Sequence, residues 1–461
     1  METGTTEISK LKELSEAPVG KLLWKYSLPA VVGMLVMSLY NVIDRIFIGQ
    51  WVGPEAIAGL AITFPVMNLS AAFGVLIGAG GSARISILFG ARDYKGASTV
   101  LGNALVVLAV IIFCYLTLFA IFIDDILIAF GASEVTLPYA RDFMLYILPG
   151  MFMTNFSFTF NNFMRASGYP VRAMVTMFIG ALCNLALAPF FIYYLEWGIK
   201  GAAIATDISM TLSAFFVLSH FFSSKSTLHF KAEKEMYRVR LRVILPVLSI
   251  GAAPSMVNAA ACFINVIINK SLYAHGGDTA VAAAGIFTTY TSLMTMVVVG
   301  ICQGMQPVIG YNYGAGKIHR LRRTYWLAVG VSTCIVSLGQ LAGLTIPDQI
   351  GRAFTTDAGL IAETSRCLHI SMLAFTVVGF QVVSTTLFQS IGKASASIFL
   401  SLTRQVLFLI PLLLVLPPKF GLDGVWAAFP TSDLIATVVT CVMVAYQFAQ
   451  FRKREKELTV A

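Results

Sequence analysis

Few ionisable residues in this 461-residue chain lie inside its apolar segments. Asp44 lies in the run Tyr40-Asn41-Val42-Ile43-Asp44-Arg45. On a helix, residues four apart share a face, so the Tyr40 hydroxyl stands beside the Asp44 carboxyl. A carboxyl among apolar neighbours can take up and release a proton near neutral pH. The structural alternative is an ion pair with Arg45 or Arg84, or hydration near a membrane surface. Asp207 follows Thr206 in Gly201-Ala202-Ala203-Ile204-Ala205-Thr206-Asp207, with functional and structural readings in balance. Asp433 and Arg404 are expected to form an ion pair, His369 to be a hydrogen-bonded core residue, and Arg84 to be structural. Uncharged polar residues gather in the first half as Asn155, Asn161, Asn162, Asn184 and Thr206. Singly, each reads as glue between helices.

The elements that carry these residues are set by composition. The chain is 57% hydrophobic and only 12% charged. A globular surface needs roughly 25% charge, so a soluble multi-domain enzyme and a disordered chain are both excluded. A membrane-spanning helix needs about 20 mostly apolar residues. Twelve such stretches occur, at 26–43, 56–83, 96–123, 143–164, 173–195, 208–224, 243–269, 279–316, 324–347, 367–392, 394–418 and 434–451. The expected fold is therefore all-α and integral to the membrane. An even number of spans puts both termini on one side. With that side cytoplasmic, 23 of the 32 Lys and Arg fall on inside segments, while Asp124, Asp125, Asp278, Asp348 and Asp357 fall outside. This follows the positive-inside rule and explains the net charge of +9 without a nucleic-acid partner. The polar first twenty residues read as a cytosolic lead-in and not a cleavable signal. Seven cysteines lie in apolar segments without a CxxC pair, so neither a disulfide framework nor a metal site is expected.

The chain also repeats itself. An offset of 224 pairs Asn41 with Asn265, Gly53 with Gly277, Gly80 with Gly304, Gly90-Ala91 with Gly314-Ala315, and Gly168 with Gly392. An offset of 223 pairs Gly198 with Gly421 and Gly201 with Gly424. Residues 1–222 then form one six-helix lobe, 223–242 a basic cytoplasmic linker, and 243–461 a second lobe. Six spans per lobe give parallel repeats around a central cavity, which is a transporter architecture. The repeat sets Ile268 opposite Asp44, so lobe geometry does not require that carboxylate.

The order and spacing of these features resemble the multidrug and toxic compound extrusion (MATE) family, in particular its prokaryotic DinF-like branch. The resemblance covers essentially the whole chain. It rests on the twelve spans in two repeats, Asp44, the Gly90-Ala91-Arg92 and Gly314-Ala315-Gly316 turns, Arg165-Ala166-Ser167-Gly168, and the Gly198–Thr206 entry to span six. It implies an exporter of organic cations or amphipathic compounds, driven by inward H+ or Na+, with no other cofactor and no enzymatic activity. It also implies a single chain as the working unit, in the inner (cytoplasmic) membrane. The family's cation site maps onto Asp44, Tyr40, Asn161, Asn184 and Thr206, and its hinge proline onto Pro29. The pattern departs at Ala188, where the family often has a second Asp. Asp207 is the residue that stands near enough in sequence to substitute, although it is turned by about 100° from Thr206 on a helix.

A broad substrate surface is expected from aromatic and Met side chains such as Phe64, Met67, Phe156 and Met294. The alternative cargo is a lipid-linked or polysaccharide-type substrate. That reading predicts extra spans or a basic central cavity, which this sequence lacks. An integral-membrane transferase would need an HxxxxD, DDxxD or HExxH motif, and none occurs.

Overall fold

A computed structural model describes residues 13–52, 54–223 and 226–460. Helices dominate it. In order they are α1 (Val19–Trp51), α2 (Pro54–Gly90), α3 (Tyr94–Ile121), α4 (Leu137–Ala166), α5 (Pro170–Pro189) and α6 (Gly198–Phe222). The run Leu241–Gly314 is 74 residues long and breaks at Gly277, where φ is 63°. Glycine tolerates that left-handed conformation. The break makes two helices, α7 (241–276) and α8 (278–314). Then follow α9 (Ile318–Thr345), α10 (Ala358–Ser371), α11 (Thr376–Ser390), α12 (Ala394–Phe420) and α13 (Leu422–Val460).

Ten of the described helices are long and apolar enough to cross a membrane, and α10 with α11 makes one further span bent by 59°. Dividing the long run at Gly277 gives twelve crossings, as the hydropathy pattern predicts. Large side chains such as Phe113, Leu118, Leu414 and Val438 point outward. In lipid this is the favoured arrangement, because outside and core are both apolar.

The repeat is visible in the backbone. Left-handed residues recur at Arg92 and Gly316, at Gly168 and Gly392, and at Gly198 and Gly421. Short helices Ile123–Ala129 and Pro347–Arg352 begin at equivalent positions. Among the described residues each half also has a π-helical turn, Phe190–Tyr194 and Thr403–Leu409, though not at repeat-equivalent positions.

The halves meet through reciprocal glycine contacts. A Cβ on Gly90 would lie 2.0 Å from the Tyr311 carbonyl oxygen, and one on Gly314 would lie 2.0 Å from that of Ile87. Tyr311 and Ile87 are themselves a repeat pair. Gly80 abuts Val247 and Gly251, as Gly304 abuts Ser27. Hydrogen bonds across the seam cluster at the same end: Ser27 to the Ile301 carbonyl, Gln306 to that of Ala79, and Asn312 to that of Leu14. At the other end Leu39, Val42, Phe64, Phe263 and Val266 remain exposed. The closed end is the one that carries the basic turns.

The segment read as a linker does not hang free. Its short helix Lys234–Tyr237 lies on α3, where Asn103 donates to the Met236 and Arg238 carbonyls and accepts from the Arg240 amide. Leu228 and Met236 are buried there.

Candidate functional site

α1 and α5 pack together and run in the same sense, with Gly33 against the Met177 side chain. Seven residues further along each helix stand Tyr40 and Asn184, which are therefore level. Asp44 lies one turn beyond Tyr40, level with the buried Ala188. Tyr40 and Asp44 share one face of α1, and Asp44 is half-buried. Asn184 is buried and its Nδ2 donates to Thr206 Oγ1 at 2.9 Å. Thr206 in turn donates to the Ala202 carbonyl at 3.0 Å. This pairing ties α5 to α6 and leaves the Asn184 Oδ1 as an acceptor.

Asp207 points elsewhere. Its carboxyl rests against α4, where a Cβ on Gly150 would come within 1.9 Å of Oδ1. The 100° step between adjacent helical residues separates it from Thr206. Asn161 is also apart from the Asn184–Thr206 pair. Its Nδ2 donates to the Ala173 carbonyl at 2.6 Å, which places it roughly 16 Å below Asn184 along α5. It lines a cavity of about 70 Å³ with Ser157, Arg165, Gly180, Met210 and Ser213. A larger concavity of about 730 Å³ lies at the closed end beside Lys393, Ser249 and Gln447, away from the acidic residues.

Pro29 is buried inside a continuous α1, two residues from each of Ser27 and Val31, whose backbones abut Gly304 and Gly300 across the seam. Phe64 is 49% exposed and Met67 half-buried. Phe156 is different: it is 6% exposed and ringed by Phe152 and Phe160, so it belongs to the core of the first half and not to a substrate surface. Met294 packs against Gly339 of α9.

In the second half, Arg404 Nε meets Asp433 Oδ1 at 2.6 Å, as the sequence suggests. Gln381 Nε2 closes over them with bonds of 2.6 Å to the Asp433 carbonyl and to Thr437 Oγ1. His369 is hydrogen-bonded to the Ser365 carbonyl at 2.9 Å but is exposed, not a core residue, because α10 turns that face outward.

By its place at the end of a span, Arg165 is expected with the cytoplasmic charges. It is 3% exposed. Helical side chains lean toward the N-terminus, and this one leans from the last turn of α4 back into the 70 Å³ cavity. Gln340 also escapes a reading that counts only charges. Its Oε1 accepts from the Thr376 amide and hydroxyl, and its Nε2 donates to the Leu373 carbonyl. Those are the backbone groups set free by the bend between α10 and α11.

A model of the family described as MatE matches residues 29–190 and again 254–415. The chain is 25% identical over 441 residues to the multidrug export protein MepA of Staphylococcus aureus (strain MRSA252), covering 94% of this chain and 95% of that one. It is 26% identical over 450 residues to the MepA of Staphylococcus haemolyticus, covering 95% of each. Among solved structures, a multidrug resistance MATE family transporter of the MOP superfamily in an outward-facing conformation superposes with a TM-score of 0.90 at 23% identity, covering 95% and 98% of the two chains. A MOP superfamily transporter from Pyrococcus furiosus Vc1 gives the same TM-score of 0.90, also at 23% identity over 95% and 98%. At that identity the superpositions speak to fold, and the double match of the family model is the repeat found again.

Proposed function

The chain belongs to the MatE family, a family of multi-pass membrane transporters and not of enzymes, and from this premise we propose that it is a secondary active multidrug exporter. Its cargo is organic cations or amphipathic small molecules, and the energy comes from antiport with H+ or Na+. The single observation that carries the site is the grouping on three helices of the first half: Asp44 beside Tyr40 on α1, level with the Asn184–Thr206 pair on α5 and α6. None of these groups has an ionisable counterpart in the second half, where Ile268 stands opposite Asp44. A carboxylate in a spanning helix is costly unless used.

In the proposed cycle Asp44 binds the coupling cation from the outer side. Loss of its net charge lets α1 repack about Pro29, and this displaces a cationic cargo outward. Tyr40, Thr206 and the Asn184 Oδ1 supply oxygen ligands or hydrogen bonds to the site. Asp207, held on the neighbouring face of α6, is a second proton acceptor in this scheme. The basic turns and both termini face the cytoplasm, by the positive-inside rule. The membrane is the inner, cytoplasmic one, and one chain makes the transporter. The MepA relatives are named as multidrug export proteins, which supports the cargo class. The Pyrococcus transporter is described as having a binding pocket of reversed polarity that suggests a different function. Fold alone therefore does not set the cargo.

The test is efflux of a fluorescent organic cation from proteoliposomes of the purified protein, with a pH gradient or a Na+ gradient imposed separately. Acceleration by one gradient is expected. Efflux indifferent to both removes the antiport reading, and movement of a lipid-linked sugar in place of the cation removes the cargo reading.

A further inference from the structure

The halves differ most where one keeps a buried charge without a counter-charge. By the offsets of 223 and 224, Met210 stands opposite Asp433, Gly180 or Ala181 opposite Arg404, and Ser157 opposite Gln381. In the second half that place is filled by the Arg404–Asp433 ion pair with Gln381 over it. In the first half the same place opens into the 70 Å³ cavity, lined by Ser157, Gly180 and Met210 and bordered by Gln303 of α8. Small and apolar residues have replaced both members of the pair.

A positive charge is nevertheless present. Arg165 enters this cavity from the end of α4 and is 3% exposed. Its Nη2 donates to Asn162 Oδ1 at 2.9 Å, a neutral acceptor. Among the described residues, its buried Nη1 has no hydrogen-bond partner. Among the described residues, none of the ion pairs involves Arg165, while Arg404 has Asp433. A buried guanidinium needs a counter-charge and filled hydrogen bonds, or it is strongly destabilising. The C-terminal end of α4 supplies part of that through its dipole, but it leaves Nη1 unanswered. Beside it, Asn161 Nδ2 spends one hydrogen on the Ala173 carbonyl and retains a second. The space has room for a few water-sized groups, too little for a drug-sized molecule.

We propose that the first half binds one small monovalent anion, of halide or formate size, at Arg165 in this cavity. The anion shares this cavity with Met210, which stands at the position of Asp433 in the second half. This site goes beyond the exporter reading and holds whatever the cargo or the coupling ion.

The experiment uses the full-length protein in lipid nanodiscs. Heat unfolding is followed in chloride, bromide or formate and compared with gluconate, which is too large for the cavity, at matched ionic strength. The expected result is a saturable rise in Tm of about 1–2 °C with the small anions only. Met210→Asp installs the missing carboxylate and is expected to be as stable in gluconate as the wild type is in chloride, with no response to anions. Arg165→Gln also loses the response. Binding of radioactive chloride to the wild type, displaced by bromide, supplies a reading that no variant's folding affects. A wild-type Tm equal in chloride and gluconate, a Met210→Asp protein that responds like the wild type, or absence of displaceable chloride binding each overturns the site.

Discussion

α4 in the first half is a single continuous helix with Pro149 inside it, while its counterpart in the second half is broken into α10 and α11 with a 59° bend and no proline at the break. The difference lies in what surrounds each helix. At the bend, Gln340 of α9 takes up the freed Thr376 amide and Leu373 carbonyl. The residue equivalent to Gln340 in the first half is Leu116, which cannot do this. On the first-half helix, the position equivalent to the break holds Gly150, and its missing side chain makes room for Asp207. One backbone plan thus supports a mechanical feature in one half and a buried carboxyl in the other. The same division holds elsewhere: Asp44, Asn184 with Thr206, and Asp207 stand in the first half, while the second half closes its own buried charges on each other at Arg404 and Asp433. Asp44 and Asp207 have no acidic counterpart in the duplicated scaffold, where Ile268 and Pro430 stand opposite them.

This contrast can be broken at several points. Arg404→Leu removes one partner of the buried pair and leaves Asp433, 3% exposed, without its counter-charge; a loss of about 3–5 kcal/mol is expected. Adding Asp433→Leu should recover most of it, as a double-mutant cycle of thermal or denaturant unfolding would show. If the double variant is no better than the single one, the pair is not the structural element claimed. Gln340→Leu, which copies the first half, strands two backbone groups at the bend and is expected to cost about 2–4 kcal/mol. The reverse change, Leu116→Gln, has no freed groups to satisfy and should gain nothing. Gly90→Ala and Gly314→Ala each push a methyl against a facing carbonyl at 2.0 Å. Each should cost about 1–3 kcal/mol, and the two costs should agree, since the contacts are repeat-related; a large inequality would show that the seam is not two-fold. The smallest effect belongs to Arg92, which has φ of 61° where its repeat partner is Gly316. Arg92→Gly should leave stability unchanged or raise it by up to about 1 kcal/mol, measured by the unfolding midpoint.

Much of this was legible in the residues alone. The twelve crossings follow from runs free of charge, and the repeat from glycines at fixed offsets, because glycine marks close backbone approach and left-handed turns. Gly90 and Gly314 prove to be each other's neighbours' partners across the seam, and Gly277 is the turn between α7 and α8. The Arg404–Asp433 pair was legible because two charges in an apolar surrounding must find each other. What stayed hidden depends on direction and reach. Arg165 counts as a surface charge by its place at a helix end, yet its side chain leans back into the first half. Phe156 has the composition of a substrate wall, but helix rotation sets it in the core. Gln340 and Asn103 act on backbone groups more than thirty residues away, and no local pattern announces such bonds.

The central claim is that the acidic site of the first half couples an ion gradient to export, and Asp44→Asn tests it most directly. The variant keeps the shape and hydrogen-bonding capacity of the side chain but cannot change charge. Reconstituted beside the wild type, at equal amounts and with the coupling gradient imposed, it should lose gradient-driven efflux of an organic cation by at least tenfold while its Tm stays within about 2 °C. Efflux at the wild-type rate with undiminished response to the gradient would contradict the account.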